Sequence, residues 1–248
     1  MSEVVSLPQP DSSEPLEVYV ARPDGARRGG LIVIHEIWGL TDHIRDVADR
    51  FAAQGWLVAA PDILTHAGVT PAAGTELFAL MNDPDEKVRV AAQPRMRDAL
   101  AEAHDPGYAA WALRALRTAV DWLAAQPGAG GRLAATGYCF GGTYTFLLAA
   151  SDDRIRAAAP FYGAAPDTAR IAAIEAPVLA FYGGQDATLM KALPTVREQM
   201  AAAEVDFTPV VYPDAHHAFF NDTGSRYDAD AAADAWAKVT VFLADAVA

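Results

Sequence analysis

One short stretch constrains this chain more than any other. Residues 137–142 read Gly-Tyr-Cys-Phe-Gly-Gly, and they join an apolar run at 132–136 to a helix-forming run at 143–150. A Gly-x-Cys-x-Gly turn from strand to helix carries one side chain at a tip that tolerates only small neighbours. Gly137 and Gly141 omit the Cβ atoms that would collide there, and the tip residue is held in strained backbone geometry. The tip points at the N-terminus of the following helix. Free N–H groups and the helix dipole there favour a thiolate and, later, an oxyanion. An ordinary thiol titrates near about 8.5, so such help matters at neutral pH. Cys139 is therefore read as a nucleophile, against the alternative that a lone cysteine is a small buried hydrophobe.

The rest of the chain fits a strand–helix alternation around that turn. Residues 4–7 and 16–21 read as an edge hairpin with a Pro/Ser-rich turn. Continuous apolar runs at 31–35, 56–60, 155–162 and 177–182 suit strands covered on both faces, and 207–212 reads as the last strand. Asp42 is the expected N-cap of a helix over 43–54 that stops at Gly55. Apolar spacing predicts an amphipathic helix over 108–125, further helices over 189–203 and 227–247, and one over 85–102 with a break near Pro94. Residues 63–106 mix Ala, Pro, Gly and charge, and are expected to form an insertion that lines a pocket. The pattern predicts one α/β domain over 1–248, a doubly wound, mostly parallel sheet flanked by helices.

Bulk properties narrow the partners. With Lys+Arg 19 against Asp+Glu 32, the formal net charge is −13, which argues against nucleic acid and anionic membranes. No stretch approaches the roughly 20 apolar residues of a membrane span. The segment 1–14 lacks the basic and apolar regions of a signal peptide, and the single cysteine gives no intrachain disulfide framework, so a cytoplasmic location is expected.

A thiol nucleophile needs a base, and the base needs an orienting acid. Asp186, in Gly-Gly-Gln-Asp after one strand, and His217, in Asp-Ala-His-His after the last, follow Cys139 in the order nucleophile, acid, histidine. Strand-end placement would bring all three to one edge of the sheet. Asp186 could equally serve its turn, and His216 competes with His217. Glu36 ends the first buried strand. A partly desolvated carboxyl there has a raised pKa and can accept the thiol proton. The backbone N–H groups of Ile37 and Phe140 are the expected oxyanion donors.

At these residues the chain resembles the dienelactone hydrolase family, the cysteine branch of the α/β-hydrolases. The resemblance rests on His35-Glu36-Ile37-Trp38-Gly39, the Gly-Tyr-Cys-Phe-Gly-Gly turn, Gly183-Gly184-Gln185-Asp186, and Tyr212 with Ala215-His216-His217-Ala218-Phe219, and it spans about residues 17–245. It implies the α/β-hydrolase fold and hydrolysis of a lactone or ester through an acyl-enzyme, without metal or organic cofactor. By resemblance, Cys139 is the nucleophile, His217 the general base and acid, and Asp186 its orienter. Glu36 contacts the resting thiol and takes part in forming the thiolate. Members of the family grip a substrate carboxylate with an arginine before the long middle helix; Arg97 is the expected counterpart, Arg95 the alternative. Where they carry a hydroxyl residue and a second arginine after the histidine, this chain has Ala218 and Asn221. Trp38, Tyr138, Phe140 and Phe219 are expected to form an aromatic pocket. The expected partner is a small ester or lactone, with other acyl substrates such as thioesters, or a non-catalytic binding role, as alternatives. Monomer and dimer both remain open.

Overall fold

Short apolar runs are what a strand covered on both faces requires, and such strands form the centre of this molecule. The computed structural model describes residues 1–9 and 13–248. β1 (Ser2–Leu7) and β2 (Leu16–Ala21) pair antiparallel at one edge. The Pro/Ser-rich turn expected between them falls partly on residues 10–12, outside the described residues. β3 (Gly29–Ile34), β4 (Trp56–Pro61), β5 (Leu133–Tyr138), β6 (Ile155–Phe161), β7 (Val178–Gly183) and β8 (Phe207–Tyr212) run parallel to one another. The sheet order is β1-β2-β4-β3-β5-β6-β7-β8, with β2 antiparallel to β4. Strand order reverses beside β3, so a crevice opens at the carboxyl ends of β3 and β5.

Two layers close the sheet. On one face α4 (Pro106–Ala124), α5 (Phe140–Ala149) and α7 (Ala187–Ala202) cover Ile32, Ile34 and Ala135. On the other, α1 (Asp42–Ala53) and α8 (Ala229–Ala246) cover Leu31, Val33 and Ala134. Neighbouring residues of β3 thus enter different layers, as the two-residue period of a strand demands. The short α6 (Thr168–Ile171) lies between β6 and β7. Among the described residues no helix is long and apolar enough to cross a membrane.

Two details differ from the sequence reading. Thr41, not Asp42, is the N-cap of α1, and Asp42 is its first helical residue, adding negative charge where the dipole favours it. Residues 63–106 hold two helices, α2 (Pro71–Met81) and α3 (Glu86–Ala99), in place of one over 85–102. α2 starts on a Thr70 cap with Pro71 in its first turn, while Asp85 caps α3, which carries Pro94 inside it. α2 presses on the loop after β3. A Cβ at Gly74 would lie 1.7 Å from the Trp38 carbonyl oxygen, so only glycine permits this approach.

Candidate active site

The turn between β5 and α5 is as tight as its glycines imply. A Cβ on Gly137 would come within 2.3 Å of the Gly141 oxygen, and one on Gly141 within 2.2 Å of the Ile34 oxygen. Cys139 adopts φ 55° and ψ −112°, a conformation that side-chain-bearing residues rarely take. Its own N–H is held by the Phe161 carbonyl at 3.0 Å, and Thr143 N–H returns to the Cys139 carbonyl at 3.1 Å. Of the other side-chain-bearing residues with positive φ, Tyr162 at 38° and Ala218 at 65° line cavities beside Cys139, while Glu204 at 56° follows α7.

At Cys139 the pull of the helix N-terminus toward a thiolate is opposed by burial. Burial pushes the Cys139 thiol up to about 12, with the Glu36 charge adding to the rise. The backbone N–H groups of Phe140 and Ile37 both reach the sulfur and pull in the opposite direction, but desolvation is the larger effect.

Asp186 ends the β7 turn as the N-cap of α7. Its Oδ1 accepts the Leu189 N–H at 3.1 Å, and its Oδ2 accepts the His217 Nδ1 proton at 2.6 Å. One carboxylate therefore begins a helix and orients an imidazole. His217 sits on the loop after β8 and is partly exposed, with its ring 5.1 Å from that of Tyr162. His216 is exposed and makes no bond to Asp186. Glu36 follows β3 and is 1% exposed. Burial pushes its carboxyl up to about 7; Oε2 accepts the Asn221 amide proton at 2.6 Å, while Oε1 has no hydrogen-bond partner among the described residues.

Two cavities flank Cys139, and Cys139, His217 and Arg226 line both. The smaller, about 500 Å³, runs past Phe140, Thr143, Gln185 and Leu189. The larger, about 730 Å³, lies under α2 and α3 and is walled by Glu36, Trp38, Phe78, Met81 and Met96. Trp38 meets Phe78 edge to face at 5.6 Å between centroids.

Other sequence-predicted pocket residues lie elsewhere. Tyr138 and Phe219 are fully buried in the layer shared with α1 and α8 and do not line either cavity. Strand alternation explains Tyr138: the residue before the turn points to the face opposite α5. Arg97 is 77% exposed and pairs with Asp98, and Arg95 bonds Glu76 across α2 and α3, so neither reaches the cleft. The cleft cations are Arg89, which also holds the Asp83 and Pro84 carbonyls, and Arg226. Arg226 follows His217 on the same loop, which is the signal sequence reading could have used; Arg89 leaves no such signal.

Comparison with known proteins covers nearly the whole chain. The family model described as the dienelactone hydrolase family matches residues 16–247. A Salmonella typhimurium protein provisionally named carboxymethylenebutenolidase is 31% identical, over 95% of this chain and 84% of its own. A Saccharolobus solfataricus protein with the same provisional name is 29% identical, over 92% and 93%. The crystal structure of a Klebsiella pneumoniae protein, provisionally named a dienelactone hydrolase, is 30% identical, covers 98% of each chain and superposes with a TM-score of 0.82. Sheet order, strand-end cleft and sequence match together make this chain an α/β-fold hydrolase that belongs to the dienelactone hydrolase family.

Proposed function

We propose that the chain hydrolyses a lactone or ester through an acyl-enzyme on Cys139. The observation that carries this reading is the 2.6 Å bond from His217 to Asp186 at a cleft that His217 shares with Cys139. The carboxylate fixes the proton on Nδ1, which leaves Nε2 as the basic nitrogen. The thiol is neutral at rest, so it yields its proton as substrate enters, with the Glu36 carboxylate as acceptor. The thiolate attacks the carbonyl carbon, and the oxyanion lies against the N–H groups of Ile37 and Phe140. Collapse opens the ring or expels the alcohol, whose oxygen takes the proton that Glu36 received, relayed through His217 Nε2, so that Glu36 is again a carboxylate and His217 again neutral. Water, deprotonated by His217, then releases the acid and restores the thiol.

The names of the relatives support a lactone of the carboxymethylenebutenolidase type. Arg89 and Arg226 suit a carboxylate on that substrate. A second reading, a carboxylesterase or thioesterase for other acyl compounds, is favoured by the cavities on both sides of Cys139, which suit groups on both sides of a carbonyl. Acid-quenched protein taken during turnover of a p-nitrophenyl ester tests the shared step. Intact-mass spectrometry is expected to find one acyl group on Cys139; turnover with no such adduct in either wild type or a His217→Ala variant would refute the covalent route.

A further inference from the structure

Asn221 donates its amide proton to the Glu36 carboxyl at 2.6 Å, and the buried Tyr162 hydroxyl bears on the same carboxyl. Asn221 lies on the loop after His217, is 2% exposed, and reaches a residue 185 positions away. Its orientation is determined. Oδ1 accepts the Thr223 backbone N–H at 3.0 Å and the Thr223 hydroxyl at 2.6 Å. A backbone N–H can only donate, so the atom it meets is the amide oxygen, and the nitrogen must face Glu36. Nδ2 in turn can only donate, so Glu36 Oε2 is an acceptor. The remaining oxygen, Oε1, is buried and accepts no well-formed hydrogen bond among the described residues; the Tyr162 hydroxyl, equally unpaired by geometry, is near enough to help lower the carboxyl's pKa.

From this geometry we infer that Asn221, anchored by Thr223, is a positioning residue that reserves Glu36 Oε1 as the atom that receives the Cys139 proton. The inference rests on the reading of Glu36 as proton acceptor given above. In the step concerned, the Sγ–H bond breaks and an Oε1–H bond forms. The electron pair stays on sulfur, and the pair keeps one negative charge. The amide donor holds the carboxyl in one rotamer and favours its ionised form, opposing the burial that pushes it up to about 7. A neutral amide does so without the charge that an arginine would place there.

The groups that face the Glu36 carboxyl are Cys139 and Tyr138 at the elbow and Tyr162 at the end of β6. His35 lies beside it in sequence, its Nδ1 against the Glu36 carbonyl, and His43, paired with Asp222, packs edge-on to Tyr138. Arg89, His104, His217 and Arg226 line the same cavity.

The test is the rate of iodoacetamide alkylation of Cys139 across pH, in wild type, Glu36→Gln, Asn221→Ala, Asn221→Asp and Thr223→Ala. In wild type the rate is expected to climb as Glu36 ionises. Asn221→Ala should move that midpoint upward by about one pH unit, the equivalent of one hydrogen bond to a charged group. Asn221→Asp should move it further, because a second carboxylate opposes ionisation of Glu36. Thr223→Ala keeps one of the two anchors and should give a smaller shift in the same direction; it carries the test if the Asn221 variants fail to fold. A purely structural role would lower melting temperature and leave the midpoint in place. Folded variants with the wild-type midpoint, beside a Glu36→Gln protein that has lost that rise, would overturn this inference alone. A Glu36→Gln profile identical to wild type would overturn both this inference and the acceptor role of Glu36.

Discussion

Asp186 spends its two carboxylate oxygens on two different tasks: Oδ1 caps α7 through the Leu189 N–H, and Oδ2 holds His217 Nδ1 at 2.6 Å. The two tasks separate by substitution. Asparagine remains a good N-cap, so Asp186→Asn should stay within a few tenths of a kcal/mol of wild-type stability, whereas Asp186→Ala should lose about 1 kcal/mol. Both should cut kcat by about 10³-fold or more, because neither keeps the imidazole in its required tautomer. Thermal melts and steady-state kinetics on the two variants check this. An Asn variant that melts normally yet turns over at the wild-type rate would separate Asp186 from the chemistry.

Glu36 predicts a pH dependence of stability. Its folded-state pKa, about 7, lies above the ordinary carboxyl value of 4.5, so the folded protein holds this proton more tightly than the unfolded chain. The stabilisation is fully present below pH 4.5 and is lost as pH rises through about 7. The difference corresponds to about 3 kcal/mol, on the order of 10 °C in melting temperature for a chain of this size. Glu36→Gln should remove this fall. Melting curves of both proteins from pH 4 to 8.5 are expected to diverge, with the variant gaining on wild type as pH rises; parallel curves would contradict the buried, titrating carboxyl.

Arg226 lines both cavities beside Cys139 on a chain whose net charge is −13. A cation there offsets long-range repulsion of an anionic substrate. Arg226→Gln should raise KM for a carboxylate-bearing ester about tenfold, the worth of one charge-assisted hydrogen bond, and change KM for a neutral ester less than twofold. Kinetics on a matched pair of esters gives the comparison. Equal losses on both substrates would assign Arg226 to loop structure instead.

What was legible in the sequence follows what is local in the fold. Apolar runs that must be buried on both faces declared β3, β4, β6 and β7, and the glycines around Cys139 declared the elbow, because each signal lies within a few residues of its cause. The order of Cys139, Asp186 and His217 became informative once each was assigned to a strand end. α2 was missed because only Gly74 and Leu77 along it are buried, so no apolar stripe marks a face, and its closest approach is to the Trp38 backbone through Gly74. The direction of α3 was equally hidden: its spacing marks no face for the cleft, and Arg89 faces it while Arg97 faces solvent. Tyr138 and Phe219 flank site residues in sequence, yet backbone alternation and the positive φ at Ala218 turn them into the core. Asn221 was visible as a departure from the family pattern, but its partner Glu36 was not.

The most direct measurement is the hydrolysis rate of a short p-nitrophenyl ester and of a dienelactone by wild type and by Cys139→Ala, with folding of the variant verified by its melt. The account predicts turnover of at least one substrate by wild type and loss of about 10³-fold or more in the variant, since the nucleophile that forms the acyl-enzyme is gone. A folded Cys139→Ala protein that hydrolyses either substrate at the wild-type rate would contradict the role of Cys139, and with it the mechanism.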